Sequence, residues 1–471
     1  MTLDVLLIAA GALGVLVAAL SGRIRRLPVS EPLLALVVGV LVGPEVLRAL
    51  PLPPITTEHA SVHDATRVLL VISVMGVALR YPFGSVRAQL RPVSILLLVA
   101  MPAMALISAG LTAGILGVTL GAALLLGTAI CPTDPVLASS VVTGKPAEED
   151  LPARDRQILS LESGANDGLA LPFVLAAVAF AGPMSAGRAA GDALWQVLGA
   201  VALGVVAGWL GGRALRAGEA HGETAHGPML LFTVLLALLV LGLSGVLHLD
   251  GVLAAFVAGL AFNLTSTGTE RTAEVEIDEA VNRFAVLPMF VLLGATLPWT
   301  EWGELGWAAI VLALAVLLLR RLPVLLLLKR ALHLGWPDAL YLGWFGPVGV
   351  SAVFYLTLEA EELGLPETVM AAGIMIVVVS TVAHGVTSSA GRLLYRRDPD
   401  RTASARGLTL RHAVSGSPPG DTRQIEKTLQ RAPAAMPSAR LRPAVTTAVV
   451  ADQAQGTNAP GTVRAGGSLR P

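Results

Sequence analysis

The chain has 471 residues, of which 54% belong to the AVILMFWYC set and only 14% are charged, with a formal net charge of +0 and a mean hydropathy of +0.72. A soluble protein of this length carries about a quarter charged residues, so the composition excludes an ordinary soluble domain, and no nucleic-acid partner is expected. The single cysteine, Cys131, excludes a disulfide within the chain and any cysteine metal cluster.

Apolar runs, each near the length needed to cross hydrocarbon, recur from Thr2 to about Ala390. Asp4 precedes the first run and no Lys or Arg does, so this run does not read as a cleaved signal. About thirteen spans are predicted, beginning near Thr2, Ser30, Val62, Val93, Gly117, Gln157, Gly191, Pro228, Gly251, Glu279, Gly303, Pro337 and Thr368. The fold class is therefore an all-α polytopic membrane protein with a transmembrane domain over 1–390. Arg greatly outnumbers Lys and Ala is abundant, as in GC-rich bacterial genomes, which suggests a bacterial inner membrane.

Arg23, Arg25, Arg26, Arg80, Arg87, Arg91, Lys145, Arg154, Arg156, Arg213, Arg216, Arg271, Lys329 and Arg330 all fall on one side of this topology. The other side has only Arg48 and Arg188, and its loop "EAEELGLPET" has no basic residue. The Lys/Arg bias makes the first side cytoplasmic, with the N-terminus outside and the C-terminus inside. Residues 391–471 are rich in Pro, Ser, Gly, Thr and Arg without periodic apolar runs, and read as a disordered cytoplasmic tail. The tail's charge is roughly +8. It is either a solvated terminus or a contact for anionic lipid headgroups.

The sixth span opens on "LESGANDGLALPF", and on a helix Glu162, Ser163, Asn166 and Asp167 share one face. Asp167 lies about 15 Å deep at 1.5 Å per residue, where a charge costs about 2.5–3.5 kcal/mol. Helix–helix adhesion needs only Ser163 and Asn166, so two carboxylates imply a function. The fifth span contains "AICPTDPVLAS", whose two prolines should break the helix within the membrane. Asp134 followed by Pro135 has the pattern of an N-cap and first helical residue, starting a second half-helix. Asp134 is about 12 Å deep by the same rise, so it and Asp167 lie at nearly one depth on consecutive helices.

Carboxylates, a hydroxyl and unwound carbonyls form an all-oxygen site suited to a hard cation. Close, desolvated carboxylates bind either a proton or a metal ion, and competition for one site with alternating access gives cation–proton exchange. The twelfth span, "YLGWFGPVGVSAVFYL", is a second interrupted helix, with Gly343, Gly346, Pro347 and Gly349 mid-membrane. If spans 1–6 and 8–13 are inverted repeats, the fifth and twelfth correspond, as in inverted-repeat transporters. An intramembrane aspartyl protease would also use two aspartates, but its Gly-x-Gly-Asp signature is absent around both, and a channel favours multiple weak sites.

Together, "SEPLLALVVGVLVGP", "TDP" at 133–135, "ESGAND" at 162–167, "GVLAAFVAGLAFN" and "RFAVLPMFVLLGATL" resemble the cation–proton antiporter-1 family, which includes NhaP-type sodium/proton exchangers. The resemblance covers roughly residues 1–395 and implies no cofactor. It implies Asp134 and Asp167 as ligands of a monovalent cation (Na+, Li+ or K+) and of the proton. Thr133, Glu162 and Ser163 would complete or support the shell, and Asn166 would brace the broken helix. Family members with Asn before the Asp exchange one cation for one proton, so exchange is expected to be electroneutral and to regulate intracellular pH and sodium, with K+/H+ exchange as the alternative. The family is typically homodimeric. Val348 departs from the family pattern, standing where many members have a basic residue. Arg321 resembles a family arginine of the preceding span and is either a buried cation near the site or, with Arg320, snorkels to the interface. Gly204, Gly208 and Gly212 mark either a dimer face or close packing within the subunit. His248 and Asp250 are expected to be solvated in an outer turn, and Cys131 to be a small apolar filler.

Overall fold

The computed structural model describes residues 2–19, 29–182, 184–220, 231–265 and 286–396. Every regular element among them is helical, which follows from the need to satisfy each backbone group internally in hydrocarbon. The chain runs through α1 (Thr2–Ala19), α2 (Glu31–Val42), α3 (Ala60–Arg80) and α4 (Leu90–Leu116). The next helix is broken into α5a (Leu120–Ala129) and α5b (Pro135–Val142). There follow α6 (Ala153–Ala181), α7 (Ala186–Ala220), α8 (Phe232–Leu247), α9 (Gly251–Asn263), α10 (Val286–Ala295) and α11 (Trp307–Leu328). A second broken helix, α12a (Trp336–Trp344) with α12b (Val350–Leu363), precedes α13 (Glu367–Arg396). By length and composition α3, α4, α6, α7, α11 and α13 can each cross a membrane, while α1, α2, α5a, α8, α9 and α10 are shorter apolar helices.

Local sequence explains the helix ends. Ser30 caps α2 through the Leu33 amide, with Pro32 in the first turn, and Thr119 caps α5a through the Ala122 amide. Gly117 and Gly364, both left-handed, stop α4 and α12b, and left-handed His248 stops α8. Asp250 is not solvated, contrary to expectation. It is 5% exposed and its Oδ1 accepts from the Val252 and Leu253 amides at 2.9 Å, capping α9. The acidic stretch expected in an outer loop likewise belongs to α12b, where Glu359 is buried.

The core is continuous from α3 to α13. α3 is buried along most of its length, from Val62 to Leu79, and packs against α9 and α12b. α7 lies along α9 with its three glycines in the seam: a Cβ on Gly204 or Gly208 would run into the backbone of Ala254 or Ala258, and one on Gly212 into Thr265. The small-residue spacing is thus used within the subunit, and the opposite face of α7 (Trp195, Leu198, Val206, Trp209) is exposed. The described residues form one compact unit. The helix α13 continues past residue 390 to Arg396, and the expected disordered tail from 397 onward lies outside the described residues.

Candidate functional site

The two broken helices meet at their breaks. Residues 130–134 and 345–349 are unwound, and the Asp134 amide donates to the Pro347 carbonyl at 2.9 Å. Four half-helix ends therefore converge, two presenting free amides and two presenting free carbonyls.

Asp134 and Arg320 meet these ends with opposite charges. One Asp134 oxygen accepts from the amides of Val136 (2.6 Å) and Leu137 (3.0 Å), and the other from Val350. A single carboxylate caps α5b and α12b together, as the dipoles of both helix N-termini favour. Gly349 makes this approach possible, since a Cβ there would strike the Asp134 carboxylate. On the other side Arg320 donates to the carbonyls of Ile130 (2.5 Å), Cys131 (3.3 Å), Pro132 (3.2 Å) and Gly346 (2.6 Å). Neither arginine snorkels; Arg320 and Arg321 are each 2% exposed. A cation thus stands at the crossing although position 348 is apolar, with the Val348 amide donating to Ser380 Oγ at 2.9 Å.

Arg320→Met should lower the melting temperature of the detergent-solubilised protein, because each buried carbonyl left without a donor costs about 1–3 kcal/mol. Arg320→Lys should restore only part of the loss, since an ammonium lacks the planar fork that reaches both breaks. Melting of Arg320→Met together with the wild type would show that the carbonyls are satisfied by other groups.

The face of α6 supplies the remaining residues. Asn166 grips the first break at two points: its Oδ1 accepts from the Thr133 amide at 3.3 Å and its Nδ2 donates to Thr133 Oγ1 at 2.9 Å. Ser163 Oγ is 3.0 Å from Thr133 Oγ1. Asn166 therefore sits where a brace is expected. Glu162 is expected to complete or support a cation shell, and its contacts are those of a support. Both its oxygens are taken by Arg321, at 2.5 and 2.6 Å, and Arg321 Nε donates to the Leu342 carbonyl at 3.0 Å. The bidentate pair ties α6 to α11 and α12a and leaves Glu162 little capacity for another cation.

Asp167 is the exception among these groups. It is fully buried, and neither carboxylate oxygen has a hydrogen-bond partner among the described residues. The Ser351 hydroxyl faces it without closing a well-formed bond, and the carboxylates of Asp134, Glu162 and Asp250 lie within electrostatic reach. Its backbone carbonyl accepts from Tyr355 Oη, just before α6 is interrupted at Ala170. Ser351 and Tyr355 escaped the sequence reading. The signal available was their spacing of four after the Gly-Pro break, which places both on one face of α12b. A crevice lined by Arg320, Trp344, Val348, Ser380 and His384 lies beside the second break, on the arginine side of the crossing.

The family described as the transmembrane sodium/hydrogen exchanger matches residues 12–390. A protein named Na(+)/H(+) antiporter 2 from Zygosaccharomyces rouxii is 34% identical over 346 residues, covering 70% of this chain and 42% of its own length. A Na(+)/H(+) antiporter of Saccharomyces cerevisiae is 32% identical over 355 residues, covering 72% of this chain and 36% of its own length. The chain thus spans about two-fifths of these two relatives. The structure of the sodium proton antiporter MjNhaP1 from Methanocaldococcus jannaschii at pH 8 superposes with a TM-score of 0.64 at 18% identity, covering 82% of this chain and 100% of that one, and so shares the fold. With a family match over about four-fifths of its length, the chain belongs to the sodium/hydrogen exchanger family of multi-pass membrane proteins.

Proposed function

We propose that this chain exchanges a monovalent cation, sodium, for a proton across the membrane, and so regulates intracellular pH and sodium. One observation carries the reading: at the crossing of two broken helices, Asp134 is held by backbone amides while Asp167 is buried with both oxygens unpartnered among the described residues. A desolvated carboxylate without partners must take up a cation or a proton, and the same oxygens cannot hold both. Asp167 is the exchanging ligand. Thr133 and Ser163 supply hydroxyl oxygens beside it, Asp134 contributes fixed negative charge, and Asn166, Glu162 and Arg321 hold the frame. Since only one carboxylate exchanges its load, the cycle carries one cation against one proton and is electroneutral. The side of Arg80, Arg87 and Arg91 faces the cytoplasm, and the protein works as a homodimer in a bacterial inner membrane. The relatives that carry the name Na(+)/H(+) antiporter support the ion pair.

The test is proteoliposomes of the full chain enclosing a pH-sensitive dye, challenged with Na+, Li+ and K+ in turn and with an imposed membrane potential. Sodium is expected to drive proton movement at a rate that the potential hardly changes. Response to K+ alone would replace sodium with potassium, strong dependence on potential would exclude one-for-one exchange, and no cation-driven flux would overturn antiport.

A further inference from the structure

Past the crossing, one face of α12b carries a file of buried polar side chains. Ser351, Tyr355 and Glu359 recur every fourth residue and so stack along one face. All three are at most 1% exposed. The file begins where Ser351 faces the Asp167 carboxylate, passes the Tyr355 hydroxyl bonded to the Asp167 carbonyl, and ends on Glu359. From Ser351 to Glu359 is about 12 Å along the helix axis, directed away from the break and toward the turn at Gly364.

Glu359 has no structural partner that accounts for it. Neither of its carboxylate oxygens makes a hydrogen bond among the described residues, and no Lys or Arg among them pairs with it. Neutral polar groups lie near it. The Thr128 hydroxyl of α5a faces it but already donates to the carbonyls of Leu124 and Leu125. Cys131 lies within its electrostatic reach at the first break. On an adjoining face of α12b, Thr357 bonds His63 of α3 at 3.0 Å. Asp250, the other carboxylate close to Tyr355, is already engaged as the cap of α9. A carboxylate buried in a membrane protein for stability is paired; Glu359 is not.

The geometry points to Glu359 as a second proton-binding carboxylate, a relay station that loads and unloads Asp167 from the side of the membrane opposite the basic loops. This inference rests on the antiport reading given above. A proton from water on that side adds to the Glu359 carboxylate. It leaves Glu359 and arrives on an Asp167 oxygen by way of the Tyr355 and Ser351 hydroxyls and intervening water, and Glu359 is anionic until the next proton enters. Each hydroxyl and water on the way gives up one proton as it takes up another, so only Glu359 and Asp167 end with a changed protonation. Because Glu359 stands about 12 Å from Ser351, it takes no part in holding the cation.

The experiment compares the wild type, Glu359→Gln and Tyr355→Phe as full chains in proteoliposomes, with infrared difference spectra between low and high pH in the absence of sodium. Glu359→Gln is expected to melt with the wild type and to slow exchange at least tenfold, leaving the sodium concentration for half-maximal rate within about twofold. The wild-type difference spectrum should contain two protonated-carboxyl bands, one lost in Glu359→Gln and the other in Asp167→Asn. Tyr355→Phe, which keeps the ring, should slow exchange severalfold and carries the test if Glu359→Gln does not fold. Wild-type rates in the variants, or a difference spectrum without a Glu359 band, would overturn the relay while leaving antiport intact. A wild type without cation-driven proton flux would overturn antiport itself, and the relay with it.

Discussion

Asp167→Asn should abolish exchange while the protein remains folded in the membrane. The amide keeps the shape and one oxygen of the side chain but binds no proton at neutral pH and supplies no full negative charge. Since no well-formed hydrogen bond among the described residues holds the Asp167 carboxylate, removing its charge relieves an insertion cost of about 2.5–3.5 kcal/mol rather than adding one. Asp134→Asn should fail differently. Its amide oxygen can still accept from Val136 and Leu137, but its amide nitrogen then meets the Val350 N–H donor to donor. One cap is lost, at about 0.5–2 kcal/mol, so this variant should melt earlier as well as transport poorly. Melting in detergent and dye dequenching in vesicles separate the two cases. Substantial exchange by a stably folded Asp167→Asn protein would sink the assignment of Asp167 as the shared ligand.

A loss of about 3–5 kcal/mol is expected for Arg321→Met, because it strands the buried Glu162 carboxylate in a site built to neutralise it. Glu162→Gln should be similarly damaging, leaving the guanidinium uncompensated. The double variant should be more stable than the sum of the two losses predicts, by a coupling within about 0.5–3 kcal/mol. The unfolding midpoints of all four proteins provide the cycle. Simple additivity would mean that the two groups stabilise the fold independently, despite their bidentate contact.

The sequence announces what is local. Two prolines around "TDP" and the glycines of "GPVG" mark breaks that the structure places at 130–134 and 345–349, because the chemistry that interrupts a helix lies in the interrupted residues themselves. The four-residue spacing of "ESGAND" likewise places Asn166 and Asp167 on the face that meets the first break. What the sequence conceals is pairing at a distance. Glu162 and Arg321 stand 159 positions apart, and nothing local tells a carboxylate held by an arginine from one left open for a cation. Asp134 and Asp167 look equivalent in sequence, yet backbone amides occupy one and leave the other free. Glu359 was hidden by its neighbours. An acidic stretch reads as solvated, and its burial becomes visible only once α12b is seen to run on to Leu363.

The seam between α7 and α9 would make the thickness of the surrounding bilayer a mechanical input to the carboxylates. Along α7, Asp192 and Arg213 stand about 31 Å apart at 1.5 Å per residue, close to the roughly 30 Å hydrocarbon core of a bilayer. Between them Trp195 and Trp209 lie exposed near either end, and the Arg213 guanidinium sits 4.9 Å from the centre of the Trp209 ring. Such anchors hold a helix at a fixed height, so shorter or longer acyl chains must tilt it. Glycines locked against the backbone of α9 cannot absorb that tilt by sliding. The far face of α9 presents Leu253 and Phe256 to Gly168 and Gly164, the two glycines that flank Asn166 and Asp167 on α6. Hydrophobic mismatch at the edge of the molecule would thereby reach, through two glycine contacts, the residues proposed to bind the ion.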